Sequence, residues 1–291
     1  ILFSIYLVME VYLSLKAYFE ITAVTKYKFS MAELYMKGAA GNKNITAASI
    51  AFKIPFAYLL IRNYKNIFTK GFLLFVLCAA FLNIFLLSSR TVFLSYLICF
   101  LFLSLGNLII SIKGKKSKTV YVKNILAFIF PIIISLGVSN FITADDSVNV
   151  SNRISSISYE DTSTSTRLRY YIKGVRYFLS NPILGCGIGN WKLISIKIDS
   201  NKIQSYIVPY VAHNDFIEVL TEIGFFGGAI YLSFVLIVLY FLIKLFYIEQ
   251  DIEIKQSILL LTLPLIIYFI DANLNFPQYR PIMQMSFLIY S

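Results

Sequence analysis

Long apolar runs alternate with short polar segments along most of the chain. A bilayer core about 30 Å thick needs roughly 20 apolar residues per helix, and eight stretches reach that length wholly or in part. They are residues 1–24, 46–62, 68–87, 91–112, 120–142, 216–244, 256–274 and 281–291. Because the runs are continuous rather than alternating, they predict helices and not barrel strands. The fold class that follows is all-α, a polytopic integral membrane helix bundle.

These stretches divide the chain into three parts. We expect about five spanning helices in residues 1–142, one long polar loop in 143–215, and about three spanning helices in 216–291, the last cut short. Both Ile1 and Ser291 lie inside apolar runs. We therefore expect a piece of a longer membrane protein whose N-terminal helices are missing.

The distribution of Lys and Arg among the short loops predicts the orientation. One set of loops carries ten of these residues and the opposite set carries six, with the segment KGKKSK at 113–118 contributing most of the difference. The richer set should be cytoplasmic. The loop 143–215 then lies outside, on the periplasmic face of a bacterial inner membrane.

Composition narrows the function classes. Hydrophobic residues make up 58% and charged residues 14%, with a mean hydropathy of +0.74. These values exclude a disordered chain, a disulfide-rich secreted scaffold and an ordinary cytosolic enzyme. The net charge of +11 is scattered between apolar runs, so it does not indicate nucleic acid as a partner. With His213 as the single histidine, a metal site of two or three imidazoles is excluded, and no cofactor is indicated.

The long loop has two parts. The first, rich in Ser, Thr and Asn, is expected to be mobile, with Asp145 and Asp146 solvated rather than bound to metal. The second, RLRYYIKGVRYFLS (167–180), has the period of an amphipathic helix on the membrane surface. NPILGCGIGNW ends it, and because no strand precedes GCGIG a nucleotide site is not indicated.

The basic residues of this helix are predicted to differ. Arg169, Lys173 and Arg176 cluster opposite the apolar arc and should face water or anionic headgroups. Arg167 falls at the edge of the arc, so we expect it to face protein or ligand.

Single ionisable residues converge on the outer side. His213 stands where the loop re-enters the membrane, and a neutral imidazole there is a candidate general base or simply an interfacial residue. Arg90, Arg167 and Arg280 are each either a phosphate-binding guanidinium or a side chain that reaches toward headgroups. Acidic Glu218 in the first helical turn is expected to complement the helix dipole.

A different class of function remains open at this point. Glu10, Lys53 and Asp271 lie inside spanning segments, where charge is costly and usually functional. A lipid or solute transporter would use these residues and treat the outer loop as a gate.

Four motifs, in order, carry a family resemblance. They are SSRT (88–91), RLRYYIKGVRYFLSNPILGCGIGNW (167–191), HNDFIEVLTEIGFFG (213–227) and NFPQYRP (275–281), and GNKN (41–44) before a helix also fits. With these motifs the chain resembles the O-antigen ligase and polymerase family of bacterial envelope biogenesis. The resemblance implies a GT-C-like bundle that moves a glycan from an undecaprenyl-diphosphate carrier to an acceptor hydroxyl, without a metal. The acceptor is lipid A core, a growing glycan or a protein, so ligase, polymerase and protein O-oligosaccharyltransferase remain alternatives.

The resemblance also implies site residues. Arg90 and Arg167 would bind the diphosphate, and His213 would orient or deprotonate the acceptor hydroxyl; these three are the expected catalytic residues. The expected substrate-binding residues are Arg280, Arg169, Asn214 and Glu218. Membrane lipids and the lipid-linked donor are the expected partners.

Overall fold

The computed structural model describes residues 1–25, 36–113, 118–142, 162–199 and 210–291. All regular structure in these ranges is helical. The elements are α1 (Leu2–Thr25), a 3-10 turn (Gly38–Ala40), α2 (Lys43–Asn63), α3 (Ile67–Leu87), α4 (Arg90–Lys113), α5 (Lys118–Ile142), α6 (Thr162–Ser180), α7 (Trp191–Asp199), α8 (Asp215–Ile248), α9 (Ile252–Leu274), a second 3-10 turn (Pro277–Tyr279) and α10 (Pro281–Tyr290). Of the segment that we expected to be mobile, residues 143–161, with Asp145 and Asp146, fall outside the described ranges. Its last five residues, 162–166, instead form the start of α6, so the helix begins before Arg167.

Seven of the described helices are long and apolar enough to cross a membrane, and α10 is a shorter apolar helix. The polytopic all-helical fold predicted from the sequence is thus confirmed. α2 lies at the centre, buried from Ile45 to Pro55, with α1, α3, α4 and α9 around it. α4 and α9 run antiparallel, since Asn107 near the end of α4 accepts a hydrogen bond at 3.4 Å from Gln256 near the start of α9. The starts of α4 and α10 and the end of α9 therefore lie at the same end of the bundle.

Two charges inside the bundle neutralise each other. The Lys53 ammonium lies 3.1 Å from a Glu10 carboxylate oxygen, and both side chains are buried. The Ser49 hydroxyl donates to the same carboxylate at 2.8 Å. This ion pair joins α1 to α2, and its members satisfy one another's polar groups.

α8 is not one straight helix. Gly224 has φ +68° and ψ −164°, which breaks it into α8a (residues 215–223) and α8b (225–248). In a straight helix, residues 216 and 231 would be about 22 Å apart, yet the rings of Phe216 and Tyr231 are 5.3 Å apart between centroids. α8a therefore folds back along the first turns of α8b.

The break lies inside the predicted span 216–244. α8b alone has 24 residues and reaches about 36 Å, which is long enough for the bilayer core. Glycine is required at the break because a Cβ on Gly224 would lie 2.2 Å from the Ile183 carbonyl oxygen. The sequence carries no other sign of the reversal, since both halves have a helical pattern.

α6 docks against α8a through a close approach at Gly174. A Cβ there would lie 2.5 Å from an Ile217 methyl group, and the Gly174 carbonyl accepts a hydrogen bond from the Thr221 hydroxyl at 3.2 Å. Glu222 accepts from the Trp191 backbone N–H at 2.9 Å and so fixes the start of α7. α6 and α7 therefore pack against the bundle, in addition to any contact that they make with the membrane surface.

Candidate functional site

Three segments meet at the end of the bundle where α9 finishes: α6, residues 210–215 and the turn 273–280. The Arg167 guanidinium donates through Nη1 to the Leu274 carbonyl at 2.8 Å. The Tyr171 hydroxyl, one helical turn further on, lies 2.8 Å from the His213 carbonyl oxygen and 3.1 Å from that of Asn273. One face of α6 is therefore tied to both other segments.

Asn214 fixes the entry into α8a. Its Oδ1 accepts from the Ile217 N–H at 3.0 Å, the capping bond that a helix start needs. Its Nδ2 donates to the Asn273 carbonyl at 3.1 Å. Because both ends of this buried amide are used, Asn214 joins the helix start to the turn that follows α9.

His213 precedes this cap in a conformation that side chains rarely adopt, with φ +59°. Its imidazole is half-buried and meets the Phe276 ring edge-to-face at 5.1 Å between centroids. Among the residues that the structure describes, the buried Nδ1 has no hydrogen-bond partner. Backbone strain of this kind costs about 1–3 kcal/mol and is concentrated at functional sites.

Arg280 contacts the same Phe276 ring. Its guanidinium carbon lies 5.0 Å from the Phe276 centroid, and the side chain is half-buried. Within the described ranges its buried Nε has no hydrogen-bond partner. The imidazole of His213 and the guanidinium of Arg280 thus both contact the aromatic ring of Phe276.

The electrostatics of the site keep His213 neutral. Burial, and secondly the positive charge of Arg167, lower the pKa of His213 from 6.5 to about 4. The sequence led us to expect a neutral imidazole because of the helix dipole. In the structure the principal cause is burial, and the guanidinium of Arg167 adds to it.

The acidic residues of α8a bind backbone and hydroxyl donors. Glu218, which is fully buried, accepts from the Ala212 N–H at 2.6 Å and from the Tyr279 hydroxyl. Asp215 accepts from the Gln278 N–H at 3.0 Å. Both carboxylates therefore cross-link α8a to the turn 273–280, a role beyond the expected complement to the helix dipole.

The other predicted residues are placed as follows. Arg90 begins α4 at this end of the bundle and is half-buried, and its approach to the diphosphate stays a prediction. Arg169 is two residues after Arg167 and therefore about 200° around the helix from it. Its side chain is exposed, and its guanidinium carbon lies 5.7 Å from the Tyr170 ring centroid. Arg169 therefore lies outside the cluster. Lys173, expected to face water, is half-buried with a buried ammonium nitrogen because its neighbour Gly174 docks on α8a.

Sequence reasoning missed four residues of this cluster. Tyr171 falls among the apolar positions of the helical period in 167–180, and that period does not indicate a role for its hydroxyl. Phe276 and Tyr279 belong to the NFPQYRP motif and Asn273 lies two residues before it, but the sequence indicated a site role in this segment for Arg280 alone. The pairing of this turn with the His-Asn segment is a tertiary contact that no local pattern reports.

The cluster as a whole combines two guanidiniums with one neutral imidazole. Guanidiniums bind phosphate oxygens through a planar fork, and a neutral imidazole accepts a proton. In the described ranges, no three His, Cys, Asp or Glu side chains are grouped as metal ligands would be. The arrangement is suited to binding an anion beside a hydroxyl that loses its proton.

A family model described as O-antigen ligase matches residues 73–232, more than half of the chain. The matched region includes Arg90, Arg167, His213 and the whole of α6. Neither a curated protein nor a solved structure matches the chain.

Proposed function

Because the chain belongs to the O-antigen ligase family, whose members are glycan ligases and polymerases, we propose that it transfers a glycan from an undecaprenyl-diphosphate carrier to an acceptor hydroxyl. The observation that carries this proposal is the gathering of Arg167, His213 and Arg280 around the turn 273–280. The two guanidiniums supply the positive charge that a diphosphate leaving group requires, and the neutral imidazole supplies a base for the hydroxyl nucleophile.

In the proposed step, the acceptor oxygen forms a bond to the anomeric carbon of the glycan. The bond from that carbon to the carrier phosphate breaks, and the diphosphate leaves with the bonding electrons. Arg167 and Arg280 neutralise its charge, with Arg90 as a third candidate. Preorganised donors of this kind are worth about 3–4 kcal/mol each in the transition state.

The proton of the acceptor hydroxyl goes to His213. The lowered pKa of His213, about 4, makes it a weak base in the empty site. Part of that lowering comes from Arg167, whose charge a bound diphosphate would offset. Donor binding should therefore raise the pKa of His213 toward the working pH, where a general base is most effective.

Asn214 and Glu218, predicted to touch substrate, are better assigned positioning roles. Both are buried, and their polar atoms are already bonded to backbone and side-chain groups. They hold the start of α8a against the turn 273–280, and thereby set the distance between His213 and Arg280. Arg169, which is exposed on another face of α6, is proposed to contact the glycan or the lipid headgroups.

The location follows from the charge distribution of the loops. The chain is a multi-pass membrane protein. The excess of Lys and Arg on the opposite set of loops supports a periplasmic position for the cluster in the inner membrane. The donor would then meet the acceptor on the periplasmic side, with its polyprenyl tail in the bilayer.

The test is a transfer assay with the purified protein in lipid nanodiscs, given an undecaprenyl-diphosphate-linked glycan and separate lipid, glycan and peptide acceptors. The wild-type protein should release the carrier and glycosylate one acceptor class, while His213→Ala should do neither and still elute as a folded particle. Full transfer by His213→Ala would contradict the proposal. Mass spectrometry of the product distinguishes ligase, polymerase and protein transferase.

A further inference from the structure

The turn between α6 and α7 exposes large apolar side chains. Ile183, Leu184 and Ile188 are 64%, 80% and 81% exposed. We call these three residues the apolar turn. So much exposed hydrocarbon on a short loop is unfavourable in water and indicates contact with an apolar partner.

The apolar turn is fixed to the bundle at the break in α8. The Gly187 N–H donates to the Glu222 carbonyl at 2.7 Å, and the Cys186 N–H donates to the Thr221 carbonyl at 3.0 Å. The Phe225 N–H donates to the Pro182 carbonyl at 2.7 Å. These are groups at the end of α8a and the start of α8b that lack partners within their own helices, so the turn and the break form one unit.

The sequence of α8b indicates how deep in the membrane the apolar turn and the break lie. Between Glu222 and Lys244 there is no Asp, Glu, Lys, Arg or His. Residues 225–243 therefore form an uncharged helix about 28 Å long, which matches the roughly 30 Å hydrocarbon core. With Lys244 at one boundary of the core, Gly224 and the apolar turn lie at the other.

The surface on either side of the apolar turn has the same character. Phe225 and Phe226, at the head of the spanning helix, are 58% and 65% exposed. On α6 an exposed apolar stripe leads toward the turn; it consists of Leu168, Ile172, Val175 and Leu179. Exposed Arg176 and Lys192 flank this surface, as basic residues do beside anionic headgroups.

We propose that the apolar turn inserts into the bilayer, placing the side chains of Ile183, Leu184 and Ile188 among the acyl chains of the leaflet next to the α8 break. The occupant of this surface is membrane lipid, because the surface continues directly into the lipid-facing side of α8b. The insertion holds α6, and with it Arg167, at a fixed depth. This inference does not depend on the proposed glycan transfer.

The test places a spin label at Leu184→Cys in a background lacking Cys78, Cys99 and Cys186, with the protein in nanodiscs. Lys192→Cys, at an exposed basic position in the first turn of α7, is the matched control. Collision with oxygen, which concentrates in hydrocarbon, is compared with collision with a water-soluble nickel chelate. The oxygen-to-nickel ratio should be several-fold higher at position 184 than at position 192.

Two results would overturn the proposal. Equal or greater nickel access at position 184 would place the apolar turn in water. Exclusion of both reagents would show that protein, such as a second copy of the chain, covers it. If Leu184→Cys does not yield folded protein, Ile188→Cys provides the same comparison.

Discussion

Replacing Arg167 with lysine tests the guanidinium at the centre of the site. Arg167 donates one N–H to the Leu274 carbonyl at 2.8 Å, and its planar guanidinium is the group proposed to bind the diphosphate. Lysine retains the charge but cannot fork onto phosphate while holding that carbonyl. A hydrogen bond to a charged group is worth about 1.5–3 kcal/mol, which corresponds to a rate loss of roughly 10- to 100-fold.

The assay is the initial rate of glycan transfer at saturating donor, measured for Arg167→Lys and for Arg176→Lys. Arg176 is exposed on the same helix, so Arg176→Lys makes the same chemical change at a position outside the site. We expect Arg176→Lys to retain nearly the wild-type rate. Equal losses in the two variants, or full activity in Arg167→Lys, would refute the assignment of Arg167 to the diphosphate.

Three further predictions follow from burial, strain and charge. The pKa of His213 is lowered from 6.5 to about 4 in the folded protein, so as the pH falls the unfolded chain binds a proton at His213 before the folded protein does. The melting temperature should therefore fall as the pH drops from 6.5 toward 4. His213→Asn should remove this His213-dependent fall from the plot of melting temperature against pH. Gly224→Ala should lower the melting temperature and abolish transfer, whereas Gly71→Ala, with open space around it, should do neither. Lys53→Met should lower the free energy of unfolding, measured by chemical denaturation, by about 3–5 kcal/mol, because the buried Glu10 carboxylate loses its ionic partner. Adding Glu10→Leu to Lys53→Met should recover most of this loss in stability.

The spans and the residues of the site were predictable to different degrees. The apolar runs predicted the spanning helices because burial in lipid demands long uncharged segments. The His-Asn segment and Arg167 were found because each departs from its surroundings, as the one histidine and as the basic residue at the edge of the apolar arc. Both signals are local and can be read from the sequence without knowledge of the fold.

The fold-back of α8 and the role of the turn 273–280 could not be predicted in the same way. Gly224 is one glycine among several in its segment, and only the carbonyl of Ile183 pressed against it shows why it must be glycine. Lys173 shares a helical-wheel sector with Arg169 and Arg176, but the docking of Gly174 on α8a buries it. Such contacts depend on which helices pack together, and a helical period does not contain that information.

Donor binding and glycan transfer can be measured separately, which distinguishes the role of the two arginines from that of His213. Binding of undecaprenyl-diphosphate-linked glycan to the protein in nanodiscs is measured by native mass spectrometry for Arg167→Ala, Arg280→Ala and His213→Ala, together with transfer by each. We expect the two arginine variants to lose donor affinity, while His213→Ala binds donor normally and transfers nothing. Wild-type donor affinity in both arginine variants would contradict this expectation.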